Sequence, residues 1–293
     1  MTLRKILTER KSIREFKEKN VPLDTLQAIL TDVQYRDALV KDTDLEAMLL
    51  EDGDWACKIL EGIAGYNGHM VKAPHYVLFL SKEIANHQIQ TGYYAESLML
   101  KLAMADIDSC WLNVPEDGSD VKEALGISDE REAAALIAVG YKKWDKKVIN
   151  PLETGQNYSK ATLKVVDDNT SYRLKPEELV YLDEWGKNPT WDELRSYGLE
   201  DVFHYVRFAP STLNRQPWRF ILRNKKIYVA IRKDEELKIN AEHEMLEAGI
   251  IMFYLEKIMS EYGLQGSWTL VPRSGKDQGI PADYFVPGYF SRQ

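Results

Sequence analysis

Cysteine is nearly absent from this chain: Cys57 and Cys110 are the two copies, too few for a disulfide framework and without metal-ligand spacing. No stretch approaches the about 18 consecutive apolar residues of a membrane span. The N-terminus is basic but lacks the apolar core of a secretory signal. Basic residues number 38 against 46 acidic ones, and the net charge of −8 disfavours nucleic-acid phosphates and anionic lipid. There is no GxGxxG, P-loop, GxSxG elbow, CxxC or HExxH. The 5 histidines are scattered, and His243, between Glu242 and Glu244, reads as a surface residue rather than a metal ligand. These absences lead to the expectation of a cytoplasmic protein with no metal, nucleic-acid or membrane partner.

What is present is material for a full core: 44% of the residues are hydrophobic and 29% charged. The spacing predicts helices over 3–9 and from Leu23 through Val33, and a polar helical stretch from Leu39 to Gly62. A turn follows at Gly65–Gly68, then a buried strand at 76–80. Residues 90–105 form a helix apolar nearly all round, which belongs at the centre of a fold. Strands at 110–112 and 134–140 flank a helix at 120–125. The polar segment 142–185 is the predicted linker. Beyond it come a helix at 191–207, a loop at 209–217, strands at 219–222 and 227–231, a long helix at 242–262 and a final strand at 267–271. Single strands among helices, with hairpin-like turns, indicate an α+β fold.

The chain also repeats itself. Gly92 precedes Trp111 by the same interval as Gly249 precedes Trp268, and between them each copy has a long apolar helix, a turn, and Ser-Cys-Trp or Gly-Ser-Trp. Duplication explains this, as would two helix–strand units that merely look alike. The expected halves are 1–165 and 166–293.

Several residues could carry chemistry. Arg10, Ser12 and Arg14 alternate, so in extended backbone they point the same way and could cradle an anion; a solvated basic terminus has the same composition. The stiff loop Ala209-Pro210-Ser211-Thr212-Leu213-Asn214-Arg215-Gln216-Pro217-Trp218 offers donors and acceptors, or serves as a proline-rich turn with Trp218 as a core anchor. The loop Val114–Gly118 enters a helix and leaves backbone N–H groups free for a ligand. Lys142, Lys143, Lys146 and Lys147, or Arg173 and Lys175, could complete an anion site or be solvated.

Taken together these stretches resemble the nitroreductase family. Arg10-Lys11-Ser12-Ile13-Arg14-Glu15-Phe16 matches its RxSxRxF opening, and Ala209–Trp218 its APSxxNxQPW. Pro115-Glu116-Asp117-Gly118 is similar to its flavin N5 loop, and Arg173-Leu174-Lys175 to its C-terminal basic segment. The order departs from the family's: here the two signatures sit in different halves. The resemblance therefore implies a nitroreductase-like FMN-dependent fold of mixed, mostly antiparallel sheets flanked by helices. Its two repeats would form an intramolecular pseudo-dimer, a monomer in solution, with one composite flavin site. It implies that Arg10 and Ser12 hold the FMN phosphate and ribityl chain and that Arg14 approaches the N1/O2 edge. Pro210, Ser211, Thr212 and Asn214 would line the ring, Asp117 and Gly118 would offer N–H groups near N5, and Arg173 and Lys175 would add to the phosphate site. NAD(P)H would be the electron donor and a nitroaromatic or quinone the acceptor, with no protein nucleophile. The alternatives are a degenerate, non-catalytic flavin- or anion-binding protein, or another FMN reaction such as reductive dehalogenation.

Overall fold

The computed structural model describes residues 3–34, 38–66, 68–143, 146–149, 162–165, 172–234, 236, 240–272 and 279–292. In chain order the elements are α1 (Leu3–Glu9), α2 (Leu23–Gln34), β1 (Glu46–Leu50), α3 (Gly53–Leu60), β2 (His75–Ser81), α4 (His87–Met104), β3 (Asp108–Leu112), α5 (Ser119–Leu125) and β4 (Glu132–Gly140). They continue with β5 (Lys146–Ile149), β6 (Thr162–Val165), α6 (Pro176–Leu179), β7 (Val180–Leu182), α7 (Trp191–Ser196), α8 (Glu200–Val206), β8 (Trp218–Arg223), β9 (Lys226–Arg232), α9 (Ala241–Glu261), β10 (Gly266–Leu270) and β11 (Tyr284–Arg292).

Two main sheets result. The first runs β1-β2-β4-β3, and every neighbouring pair is antiparallel. The second runs β7-β8-β9-β11-β10; from β8 onward its pairs are antiparallel too, and only β7 joins in parallel. The order β1-β2-β4-β3 therefore recurs as β8-β9-β11-β10. In each sheet a long helix connects the second strand to the edge strand, α4 between β2 and β3 and α9 between β9 and β10.

Helices α4 and α9 pack directly on each other between the sheets. Both are buried on most of their faces, so an all-round apolar sequence finds an all-round apolar setting. A Cβ on Gly92 would sit 2.0 Å from the Leu246 carbonyl oxygen, and one on Gly249 would sit 2.1 Å from that of Ile89. Ile89 and Leu246 are separated by the same offset as Gly92 and Gly249, so each half presents the same patch to the other. That reciprocity is the signature of a two-fold interface, here closed within one chain. The crossing is close because glycine lets the backbones touch.

Four sequence expectations change. Residues 46–50 form β1, paired with β2, rather than part of a helix from 39 to 62, and α3 occupies only 53–60. The segment Glu-Ala-Met-Leu-Leu suits a helix, but edge pairing to a fully buried strand overrides that preference. The helix expected over 191–207 breaks into α7 and α8 around Gly198, whose φ of +66° ends the first. The strand at 266–270 is not the last: β11 inserts between β10 and β9. The expected linker contains β7, α6 and the β5–β6 hairpin; residues 144–145, 150–161 and 166–171, with the side chains of Lys146 and Lys147, lie outside the described residues. Trp218 is fully buried, as expected of a core anchor.

Candidate functional site

Two backbone stretches far apart in sequence face one cleft of about 1760 Å³. The first is Arg10–Arg14. Arg10 N–H donates to the Ile6 carbonyl at 2.8 Å as the chain leaves α1. Ile13 N–H then donates to Ser109 O at 3.1 Å and Lys17 N–H to Tyr141 O at 2.8 Å. Phe16 is buried against Gly140, where a Cβ would meet its ring at 2.9 Å. The segment is thus pinned beside β3 and the end of β4, with Arg10, Ser12 and Arg14 on the cleft wall.

The second stretch is the loop after α8. It is tied down residue by residue. Ser211 Oγ accepts from Gln216 N–H at 2.9 Å, Thr212 N–H donates to Glu247 Oε1 at 2.8 Å, and Asn214 Nδ2 donates to Tyr172 O at 2.7 Å. Gln216 Oε1 accepts from Leu174 N–H at 2.8 Å. Arg215 pairs with Glu247, and Thr212 Oγ1 bonds His243 Nε2. Leu213 and Asn214 have φ of +53° and +55°, a conformation costing a residue such as leucine on the order of 1 kcal/mol or more. The result is that Leu213 stands 78% exposed on the cleft wall, an apolar surface suited to a flat ring.

Charges of both signs line the cleft, Glu9, Glu15, Asp106 and Asp108 among the cations of the arginine stretch. At one end Arg10 Nη2 donates to Glu96 Oε1 at 2.6 Å, and Glu96 Oε2 accepts from Trp111 Nε1 at 3.0 Å. Burial opposes the Arg10 charge, but Glu96 and Tyr254 more than offset it, and the guanidinium is held above its ordinary value. Arg10 Nη1 remains buried with no hydrogen-bond partner. Arg173 donates to Ala209 O at 2.8 Å. Burial, with Arg10 and Arg207 close by, pulls Arg173 below its ordinary value. Glu96 balances one of these charges; an anion in the cleft would balance more. The Arg14 guanidinium lies 5.0 Å over the Tyr66 ring, and the Tyr66 hydroxyl donates to Trp111 O at 2.9 Å and sits 3.2 Å from Cys110 Sγ.

The other end is lined by Gln88, Glu116, Glu132 and Glu242. Burial, reinforced by Glu242 and Glu83, pushes the Glu132 carboxyl up to about 7. Gln88 Nε2 donates to Glu132 Oε1 at 3.3 Å, and His87 Nε2 lies 3.5 Å from Oε2.

Of the residues expected from sequence, Arg10, Ser12, Arg14, Arg173, Pro210, Ser211, Thr212 and Asn214 meet on this one cleft. Asp117, Gly118 and Lys175 lie off its wall. Asp117 Oδ1 accepts from Ser119 N–H at 2.9 Å, Gly118 packs against Ala133, and Lys175 is exposed beside α6. Val114, Pro115 and Glu116 from the same loop do reach the wall. His243 corrects the surface reading: it lies in the cleft against Thr212, and burial lowers its ordinary value. Sequence reasoning missed Glu96, Tyr254 and Glu247. Their signal was available for the two glutamates, since a carboxylate inside a helix apolar all round must be paired. Among the described residues no cluster of three or more His, Cys, Asp or Glu could hold a metal, and no helix is long and apolar enough to cross a membrane.

Comparison with known proteins agrees with this architecture. The family model described as "Putative TM nitroreductase" matches residues 2–257. A structure of Thermotoga maritima carrying the same nitroreductase description covers 99% of this chain and 92% of its own, with a TM-score of 0.56 at 14% identity. An FMN-dependent nitroreductase of Clostridium difficile covers 56% of this chain and 98% of its own, with a TM-score of 0.43 at 19% identity. No curated protein matches the chain.

Proposed function

The chain belongs to the nitroreductase family whose model it matches, and on that premise we propose that it is an FMN-dependent oxidoreductase with one flavin site composed from both halves. The observation that carries the proposal is the convergence of Arg10, Ser12 and Arg14 from one half with Arg173 and Pro210–Asn214 from the other on a single cleft. The halves are 1–165 and 166–293, and the pseudo-dimer they form leaves the chain a monomer.

The residues present fit FMN. The unpartnered, buried Arg10 Nη1 and the Arg173 guanidinium ask for an anion, and a phosphate answers with bidentate, charge-assisted bonds. Ser12 adds a hydroxyl on the same wall for the ribityl chain. Arg14, on the same wall, would place positive charge near the bound ring, where reduction builds negative charge. Pro210, Thr212, the strained Leu213 and Asn214 offer the ring an apolar face with polar edges. When bound, FMN would supply two-electron chemistry, accepting hydride from NAD(P)H and reducing electron-poor acceptors such as nitroaromatics or quinones. The protein's part is to bind, orient and shield.

The test is the visible absorption spectrum of the purified chain with and without added FMN, followed by NAD(P)H oxidation with a quinone. A yellow protein that turns over is expected. A chain whose spectrum and fluorescence ignore FMN would overturn the reading, and one that binds FMN without turnover would make it a binding protein.

A further inference from the structure

The cleft of about 1760 Å³ exceeds the roughly 300–1,000 Å³ that one small ligand fills. With a flavin phosphate at the arginine end, the end lined by Gln88, Glu116, Glu132 and Glu242 is left over. Building on the flavin reading, we propose that this end is the subsite for the electron acceptor and selects cationic or neutral acceptors against anionic ones.

Two independent observations support a ligand here. Gln88 is 5% exposed, and its amide oxygen has no hydrogen-bond partner. Its amide nitrogen is already given to Glu132, so the oxygen is an acceptor waiting for a donor. Glu132 Oε2 is likewise buried and unsatisfied, as is Nδ1 of His87 behind it. Gln88 and Glu132 line one wall from different elements, Gln88 from the start of α4 with His87 beside it and Glu132 from the start of β4. Glu242 joins them from the start of α9 and Glu116 from the loop before α5.

The second observation is that the carboxylates at this end act on one another. Glu132 feels Glu242, Glu83 and Asp117, with Lys122 opposing; Glu242 feels Glu116 and Glu83. None of Arg10, Arg14 and Arg173 is among the main influences on either carboxyl. Lys122 is itself turned to the carbonyls of Asp129 and Arg131 at 3.0 and 2.8 Å. Above about pH 7, where Glu132 is ionised, a cation or an N–H donor entering this end meets carboxylates and the Gln88 oxygen, whereas a sulfonate or carboxylate meets like charge in a partly desolvated wall.

The test uses the FMN-loaded full chain and one naphthoquinone scaffold bearing a trimethylammonium group, no charge, or a sulfonate. The expected kcat/KM order is cation, then neutral, then anion, with about tenfold or more between the extremes at low salt. The spread should shrink at high ionic strength. Glu132→Gln with Glu242→Gln should bring the extremes within about threefold, the bound-FMN spectrum verifying that the variant is folded. A binding readout runs in parallel: calorimetric titration of the chain with the non-reducible naphthalene trimethylammonium and naphthalene sulfonate. A flat or inverted series, or a spread untouched by the double variant, overturns the subsite while leaving the flavin reading intact. A chain that binds no FMN overturns the flavin reading instead, and calorimetry still reads the acidic end by itself.

Discussion

The first sheet and the second are strung in the same order, and α4 and α9 cross at matching glycines, yet the loops the two halves bring to the cleft share nothing. One half contributes a pinned cationic segment, Arg10–Arg14; the other contributes a strained, hydrogen-bonded loop, Ser211–Gln216. The difference teaches where the constraint lies. At the crossing every atom is fixed by backbone contact, so both copies keep glycine. On the proposed flavin reading the site takes one segment from each half, so a chain that uses a single site can let the second pair diverge.

The largest effects are expected at the crossing. Gly92→Ala and Gly249→Ala should each cost about 4 kcal/mol or prevent folding, because the new Cβ would lie about 2 Å from a backbone carbonyl. Urea denaturation checks it, and similar losses at the two positions are the expected result. A large loss at one and none at the other would show that the two-fold packing is not equivalent. The arginines should behave unequally. Arg10→Ala leaves Glu96, a 1% exposed side chain, without its cation and should cost about 3 kcal/mol of stability as well as FMN affinity. Arg173→Ala should lower FMN affinity about tenfold with less than about 1 kcal/mol of destabilisation, because its bond is to a carbonyl. Fluorescence titration and denaturation together separate the two.

Glu132 sharpens the charge map. Its carboxyl is raised from 4.5 to about 7, so the folded state holds its proton where the unfolded state has lost it. Below about 4.5 both states are protonated and there is no penalty; from there to about 7 stability falls as pH rises, then levels off. Glu132→Gln should therefore be more stable than the parent chain at pH 8, by about 2 kcal/mol once the full shift of about 3.4 kcal/mol is reduced for solvent screening of a half-buried carboxyl, and equal to it near pH 4. A constant gap would contradict the raised value. The smallest effect should come from Thr212→Val, which removes the hydroxyl bonded to His243; about 1 kcal/mol and a few-fold loss of FMN affinity are expected by the same two measurements.

Local pattern made much of this molecule legible. Helices α4 and α9 announce themselves because apolar residues occur on every face, and the turn at Asn224–Lys225 because asparagine is favoured at the positive φ such a turn requires. What stayed hidden depends on partners distant in sequence. β11 is interrupted by Pro287 and Gly288, and its register shifts between Phe285 and Gly288, so no alternation survives to be read. β1 is helix-like in sequence and a strand only because β2 pairs with it. The two motif segments of the site were visible, since each is contiguous. The Arg10–Glu96–Trp111 network and the Gln88–Glu132 wall were not, because each joins residues that only the folded chain brings together.

The central claim is one composite site per chain. Stoichiometric titration of the full chain with FMN, followed by flavin fluorescence quenching alongside sizing, tests it most directly. Saturation at one FMN per chain in a monomer is the expected result. Two FMN per chain, or one per chain only in a dimer, would contradict it.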